Sequence, residues 1–235
     1  MNILLLHPGD WTSESEVRLT DHRAAHLRRV LAVSAGDQVR VGLVNGDAGV
    51  GTVLTVDADA VTLEILLTQP PGARHPFDLV LALPRPKMLR RVLRTAAEFG
   101  VANIHLIHSY RVEKSYWQSP LLSPPKIEDA LLAGMERAAD TRMPGVHLHH
   151  RFRPFIEDTL PDIAAGRRCL LAHPGSPRGL FGSTGPGVIL IGPEGGFIPF
   201  ELELAAANGA TAVNIGARIL SVDTAVTTAL ALSAN

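Results

Sequence analysis

The chain reads as an α/β protein preceded by a small β-rich module, and three observations carry that reading. Val188–Gly192 and Ala212–Gly216 are short apolar runs that each end in glycine, with one helix-like stretch between them. Such runs, bounded by Gly and Pro, read as buried strands, and their spacing predicts a parallel βαβ unit. Gln38–Val44, Val50–Val56 and Val61–Leu67 instead alternate apolar with polar residues, the period of half-buried antiparallel strands. Pro70-Pro71-Gly72 separates the two patterns. The expected domains are residues 1–72, a small β-barrel, and residues 73–235, an α/β domain.

Composition agrees with a globular chain. Hydrophobic residues make up 46% of the 235 and charged ones 19%, enough apolar material for a sizeable core and too much for disorder. The single cysteine, Cys169, excludes a disulfide framework and a cysteine-rich metal site. It sits in the apolar run Cys169–Ala172 and reads as a buried thiol. Ile3–Leu6 has no basic residue before it and is too short for a signal peptide, and no run is long enough to span a bilayer, so cytoplasm is the expected location. A net charge of −1 gives no global cationic field, and any nucleic-acid affinity must come from local clusters.

In the first module, Ala24–Val33 has helical spacing with Asp21 as a plausible N-cap. This element carries His22, Arg23, His26, Arg28 and Arg29, which fits either contact with phosphates or an ordinary solvated face. Asn45-Gly46-Asp47 and Asp57-Ala58-Asp59 supply the turns between the alternating strands.

The second domain opens with a strand at Phe77–Leu83, followed by a helix from Lys87 to Phe99. Met88, Leu89, Val92, Leu93 and Ala96 fall on its core face, while Lys87, Arg91 and Arg94 form a cationic stripe with Arg90 nearby. Gly100 closes that helix, and Ala102–Ile107 is the next strand. Ser109–Trp117 mixes two Tyr and one Trp with Arg111 and Lys114, a composition equally compatible with stacking on an unpaired base and with the edge of a dimer interface. Pro124–Ala139 is a helix capped by Ser123. His147-Leu148-His149-His150 alternates like a strand and has no carboxylate at useful spacing, so no metal site is expected. Cys169–Ala172 is a buried strand leading into His173-Pro174. The helix after Gly196 starts at Pro199 and stops before Gly209, with Ile198 where a Ser or Asp cap would sit. Asp223–Leu232 is a terminal helix.

In parallel sheets ligands sit beyond the carboxyl ends of the strands, where Gly192–Gly196 and Gly216–Leu220 fall. Glycines there let a backbone approach a ligand, and Glu194 is a lone carboxylate at the lip. Taken alone, Gly-Pro-Glu-Gly-Gly is equally compatible with a plain turn.

Ile191-Gly192-Pro193-Glu194-Gly195-Gly196-Phe197, then Glu201, Gly209, Gly216-Ala217-Arg218-Ile219-Leu220 and Asp223-Thr224-Ala225, resemble the 16S rRNA uracil-N3 methyltransferase family, the RsmE-type members of the SPOUT superfamily. The resemblance implies S-adenosylmethionine (SAM) as methyl donor, a C-terminal SPOUT α/β domain tied in a trefoil knot, a PUA-like N-terminal barrel and a homodimer. It implies cofactor contacts at Leu171, Ala172 and His173, at Gly192, Pro193, Glu194, Gly195 and Gly196, and at Ile215, Gly216, Ile219, Leu220 and Thr224. Arg218 is the expected catalytic cation. Arg23, His26, Arg28, Arg29, Lys87, Arg91 and Arg94 are the expected RNA contacts, with small-subunit rRNA as partner and neither metal nor membrane involved. The chain departs from the family pattern at Ala32, Asp140 and Ser221, where basic residues are usual, and at Asp223, where Glu is usual. Those departures keep three other readings open: another RNA target, a non-catalytic RNA-binding factor, and a small-molecule hydrolase built on Glu194 and His173.

Overall fold

The computed structural model describes residues 2–180 and 185–234 and divides into two compact units, Met1–Ala73 with Met135–Met143, and Arg74–Gly134 with Pro144–Asn235. Met1 and Asn235, the outer ends of the two expected domains, lie outside the described residues.

The first unit is built on a mixed five-stranded sheet of β1 (Leu4–Leu6), β2 (Glu16–Leu19), β3 (Gln38–Leu43), β4 (Ala48–Val56) and β5 (Val61–Gln69), in the order β1-β3-β4-β5-β2. β1 runs parallel to β3, and the other pairs are antiparallel. Alternation fixes the register: Val41, Val53, Leu63 and Ile65 point inward and pack with Leu4, Leu6, Val17 and Leu19. Helix α1 (His22–Arg29) closes this core with Ala24 and Leu27, and its first turn is capped by Asp21, whose carboxylate accepts from the Arg23 amide at 2.9 Å. β2 is too short to register as a strand by pattern; pairing with β5 defines it. Asn45 takes a positive φ of 62° at the β3–β4 turn, as Asn tolerates.

The second unit contains a six-stranded, wholly parallel sheet of β6 (Phe77–Ala82), β7 (Asn103–Ile107), β8 (Gly145–His149), β9 (Arg168–Ala172), β10 (Gly187–Ile191) and β11 (Thr211–Val213). The order is β11-β9-β10-β6-β7-β8. All six residues of β6 and all five of β10 are buried, as strands covered on both faces must be. The expected parallel crossover joins β10 to β11 through α6 within one sheet. β10 and β11 are not neighbours, because β9 lies between them and pairs with both. Helical spacing between two runs reports a parallel crossover but not how many strands it crosses.

Around this sheet lie α2 (Pro86–Glu98), α3 (Pro124–Ala138), α4 (Phe152–Pro154), a π turn at Phe155–Thr159, α5 (Leu160–Ala164), α6 (Pro199–Ala207) and α7 (Val222–Ser233). α2 buries Leu89, Val92, Leu93, Ala96 and Ala97, one face of a 3.6-residue period, and packs against α7. The last turn of α3 belongs to the first unit, where the Glu136 carbonyl accepts from the Asn2 amide at 2.9 Å and the Thr141 hydroxyl donates to the Gly46 carbonyl at 2.6 Å. No helix among the described residues is long and apolar enough to cross a membrane.

Candidate functional site

Every loop of the site leaves the carboxyl end of a parallel strand. Ala172 ends β9, Ile191 ends β10 and Val213 ends β11, and the chain beyond each turns into one cleft. Its wall is apolar where Ile191, Phe197, Ile215, Ile219, Leu220 and Val222 meet. Its edge is backbone, from Gly192–Glu194, Gly196 and Gly216. A flat heterocycle satisfied by main-chain amides and carbonyls suits such a lining better than a highly charged group.

Glycine is required where the chain bends around this cleft. Gly196 has φ +73°, and its amide closes the turn onto the Pro193 carbonyl at 2.8 Å. A Cβ on Gly195 would lie 2.9 Å from Cδ of Arg111, whose guanidinium donates to the Gly195 carbonyl. Past this turn, Glu201 of α6 is 2% exposed and accepts from two amides, Ile198 at 3.0 Å and Tyr110 at 2.8 Å. The first of these supplies the helix cap that Ile198 itself lacks.

Charge is arranged unevenly around the mouth. Arg218 is exposed on the lining, and no hydrogen bond or ion pair engages it among the described residues. Asp223 is already committed: it accepts from the Ser221 hydroxyl at 2.6 Å and from the Arg91 guanidinium at 2.8 Å. The Ser221 hydrogen bond first, and Arg91 second, hold its carboxyl below the ordinary value. Glu194 lies on the lining and accepts from the Arg85 amide at 3.3 Å. His173 Nδ1 accepts from the Gly175 amide at 3.2 Å, which leaves the proton of a neutral ring on Nε2. Burial pushes the Cys169 thiol up to about 11, so it is no nucleophile.

Of the expected cofactor residues, Ala172, His173, Gly192, Pro193, Glu194, Gly196, Ile215, Gly216, Ile219 and Leu220 line the cleft, and so does Arg218. Leu171 is buried in β9, Gly195 faces Arg111, and Thr224 meets Ser221 through its hydroxyl at 2.9 Å; none of the three is on the lining. Pro174, Ile191, Phe197, Val222 and Ala225 line it without having been expected. Val222 and Ala225 had a usable signal, since an i, i+3 apolar pair in the first turn of a helix that follows the site faces back toward it.

The basic residues divide by environment. Arg23 is buried, and its guanidinium grips both carboxylate oxygens of Asp10 at 2.7 Å, Asp21 at 3.0 Å and the Leu5 carbonyl at 2.8 Å. That corrects the expectation for this side chain: its donors are spent inside the first unit and do not face a phosphate. Arg29 is exposed, His26 and Arg28 are half-buried, and Arg28 donates to the Ala24 carbonyl. On α2, Lys87 and Arg91 are exposed, whereas Arg94 lies beside Glu98. At the far end of the sheet His105 stacks on His147, with centroids 4.7 Å apart, and its Nδ1 lies 3.1 Å from His149 Nε2. Among the described residues no three histidine, cysteine or carboxylate side chains are placed to hold a metal ion.

Residues 72–234 match the RNA methyltransferase domain family. The ribosomal RNA small subunit methyltransferase E of Treponema pallidum is 31% identical over 99% of this chain and 90% of its own length. That of Synechocystis is 29% identical over 93% and 72%. A small subunit methyltransferase E structure from Neisseria gonorrhoeae, bound to S-adenosyl methionine, superposes with a TM-score of 0.78 at 22% identity, covering 98% of this chain and 95% of that one.

Proposed function

The chain belongs to the RNA methyltransferase domain family, and from that premise we propose that it transfers the methyl group of SAM to N3 of a uridine in 16S (small-subunit) rRNA. The observation that carries the reading is the convergence of three strand-end loops at one cleft, in a chain that is 31% identical to a ribosomal RNA small subunit methyltransferase E over 99% of its length. The fit of SAM rests on the lining: apolar side chains for the adenine faces, and the backbone of Gly192, Gly196 and Gly216 for its edge. When bound, SAM supplies an activated methyl on sulfur, so no metal is required for the transfer.

The residues of the chain supply position and charge. Ile191, Ile215, Ile219 and Leu220 give one wall its apolar surface, and Gly192–Glu194, Gly196 and Gly216 form the edge. N3 of uracil must give up its proton, to solvent since no side chain here is assigned as the base, ahead of the N–C bond that forms as the methyl carbon's bond to sulfur breaks. The base therefore carries negative charge as the transition state is approached. The guanidinium of Arg218, unpaired at the mouth among the described residues, is placed to stabilise that charge. Asp223 is bound to Ser221 and Arg91 and takes no part as a base. RNA backbone contact falls to His26, Arg28 and Arg29 in the first unit and to Lys87, Arg91 and Arg94 in the second.

The finer family architecture belongs to the same reading: a PUA-like barrel, a knotted second domain, a homodimer and a cytoplasmic enzyme acting on the small ribosomal subunit. A different RNA target is the second reading, favoured by Ala32, Asp140 and Ser221 standing where the family pattern is basic.

The test is transfer of labelled methyl from SAM to small subunits lacking the mark, followed by mass spectrometry of the digested RNA. Recovery as N3-methyluridine is the expected result. Label in another nucleotide would establish the second reading, and no transfer to any RNA would end both.

A further inference from the structure

Within the SAM-dependent reading on which it rests, we infer that Glu201 and Arg111 are positioning residues for the cofactor: together they latch the Gly192–Ile198 loop to the segment that follows β7. Neither lines the cleft. Their effect passes through the backbone that does.

The loop is held at three points. Its start continues from the buried strand β10. Its middle is held by the Arg111 guanidinium on the Gly195 carbonyl, at a spot where a Cβ would collide with Arg111. Its end is held by Glu201, whose two carboxylate oxygens are divided between the Ile198 amide, at the end of the loop, and the Tyr110 amide, beside Arg111 in sequence. One carboxylate thus joins both sides of the latch. A carboxylate buried to 2% exposure is costly unless its charge is satisfied, and here the satisfying groups are two backbone amides and the amino end of α6. An apolar residue would cap nothing and leave both amides unpaired, so the acid is needed for the position of the loop.

The consequence is specific to ligand affinity. A loop whose amides and carbonyls must meet an adenosine binds tightly only if it is ordered beforehand, and loosening it raises the dissociation constant while leaving the bound chemistry intact.

The experiment measures SAM binding by titration calorimetry on the full chain, well below its unfolding temperature, for the natural protein, E201A, E201Q, R111A and L160A. Leu160 is fully buried in the same unit and serves as the control for lost stability. E201A and R111A are expected to weaken SAM binding by about tenfold or more, each having removed a hydrogen bond to a charged group. E201Q, which keeps one acceptor oxygen, should fall between E201A and the natural protein and stands in for E201A if that variant does not fold. Under saturating SAM, kcat should remain within about threefold, so that the loss appears in KM. L160A should lower the unfolding temperature without changing SAM affinity. Unchanged affinity in E201A and E201Q, or an equal loss in L160A, overturns the inference while the methyltransferase reading stands. A natural protein that binds no SAM overturns both.

Discussion

Arg23 and Arg218 are the same side chain put to opposite uses. Arg23, at the start of α1, has every edge of its guanidinium occupied by Asp10, Asp21 and a strand carbonyl, and its side chain is 9% exposed. Arg218, on the cleft of the second unit, is exposed and engages no partner among the described residues. An internal cation with its charges matched is a fastener, and removing it leaves the half-buried Asp10 carboxylate and the Leu5 carbonyl without their partner. A cation kept without a partner where a ligand would sit is stabilised only when something anionic arrives. Burial and partners, not residue type, separate the two.

The contrast can be broken from either side. The largest expected effect is on stability: R23A should lose about 3–5 kcal/mol, as broken buried ion pairs do, measured by denaturant unfolding of the first unit. SAM affinity of the folded protein should be unchanged. R218A should do the reverse, lowering kcat/KM by about 10²–10³-fold, as the loss of one charge-stabilising group does, with an unfolding midpoint that stays in place. A third test sharpens the point with a group whose charge is excluded altogether. His105 is held neutral chiefly by burial, and next by its neighbours His147 and His149; Asp78 opposes and Arg167 adds to the effect, and the net shift takes it from 6.5 to about 4. The unfolded chain therefore binds a proton that the folded chain refuses between those values. The stability due to this group should be fully present above about pH 6.5 and fall by about 3 kcal/mol as pH drops to about 4; H105L should remove that share of the slope, leaving the shares of His149 and His108, which burial also holds low. The smallest effect belongs to the Arg91–Asp223 pair, whose arginine is 61% exposed: R91A should shift stability by less than about 1 kcal/mol.

Local pattern carried most of the fold. The alternation of β3–β5, the apolar runs of β6, β9 and β10 and the helical stripe of α2 are each visible within a dozen residues, because each buries one face or both. The glycine loop and its echo near Gly216 were likewise readable, since glycine marks close approach. What stayed hidden depends on partners far away in sequence. β2 is a strand because β5 lies beside it, and β9 separates β10 from β11 through pairing that no local period encodes. Arg23 carried the same letter as its exposed neighbours, and its fate was set by Asp10 and the Leu5 carbonyl. Glu201 was visible as a motif position, but its bond to the Tyr110 amide spans 91 residues. Ile191 read as part of a buried strand and Phe197 as a motif position, and both are buried residues that reach the cleft.

The two tryptophans open one more route into the molecule. Trp11 packs against the core of the first unit, and Trp117, in the second, donates its indole N–H to His108 at 3.0 Å and lies 4.1 Å, centroid to centroid, from His150. Each unit therefore carries its own fluorophore. With W11F and W117F in hand, emission follows the melting of one unit at a time in the intact chain. Protonation of His108, whose ring accepts the indole N–H and which burial holds below the usual imidazole range, should quench Trp117 in W11F, giving the second unit an optical signature of acid.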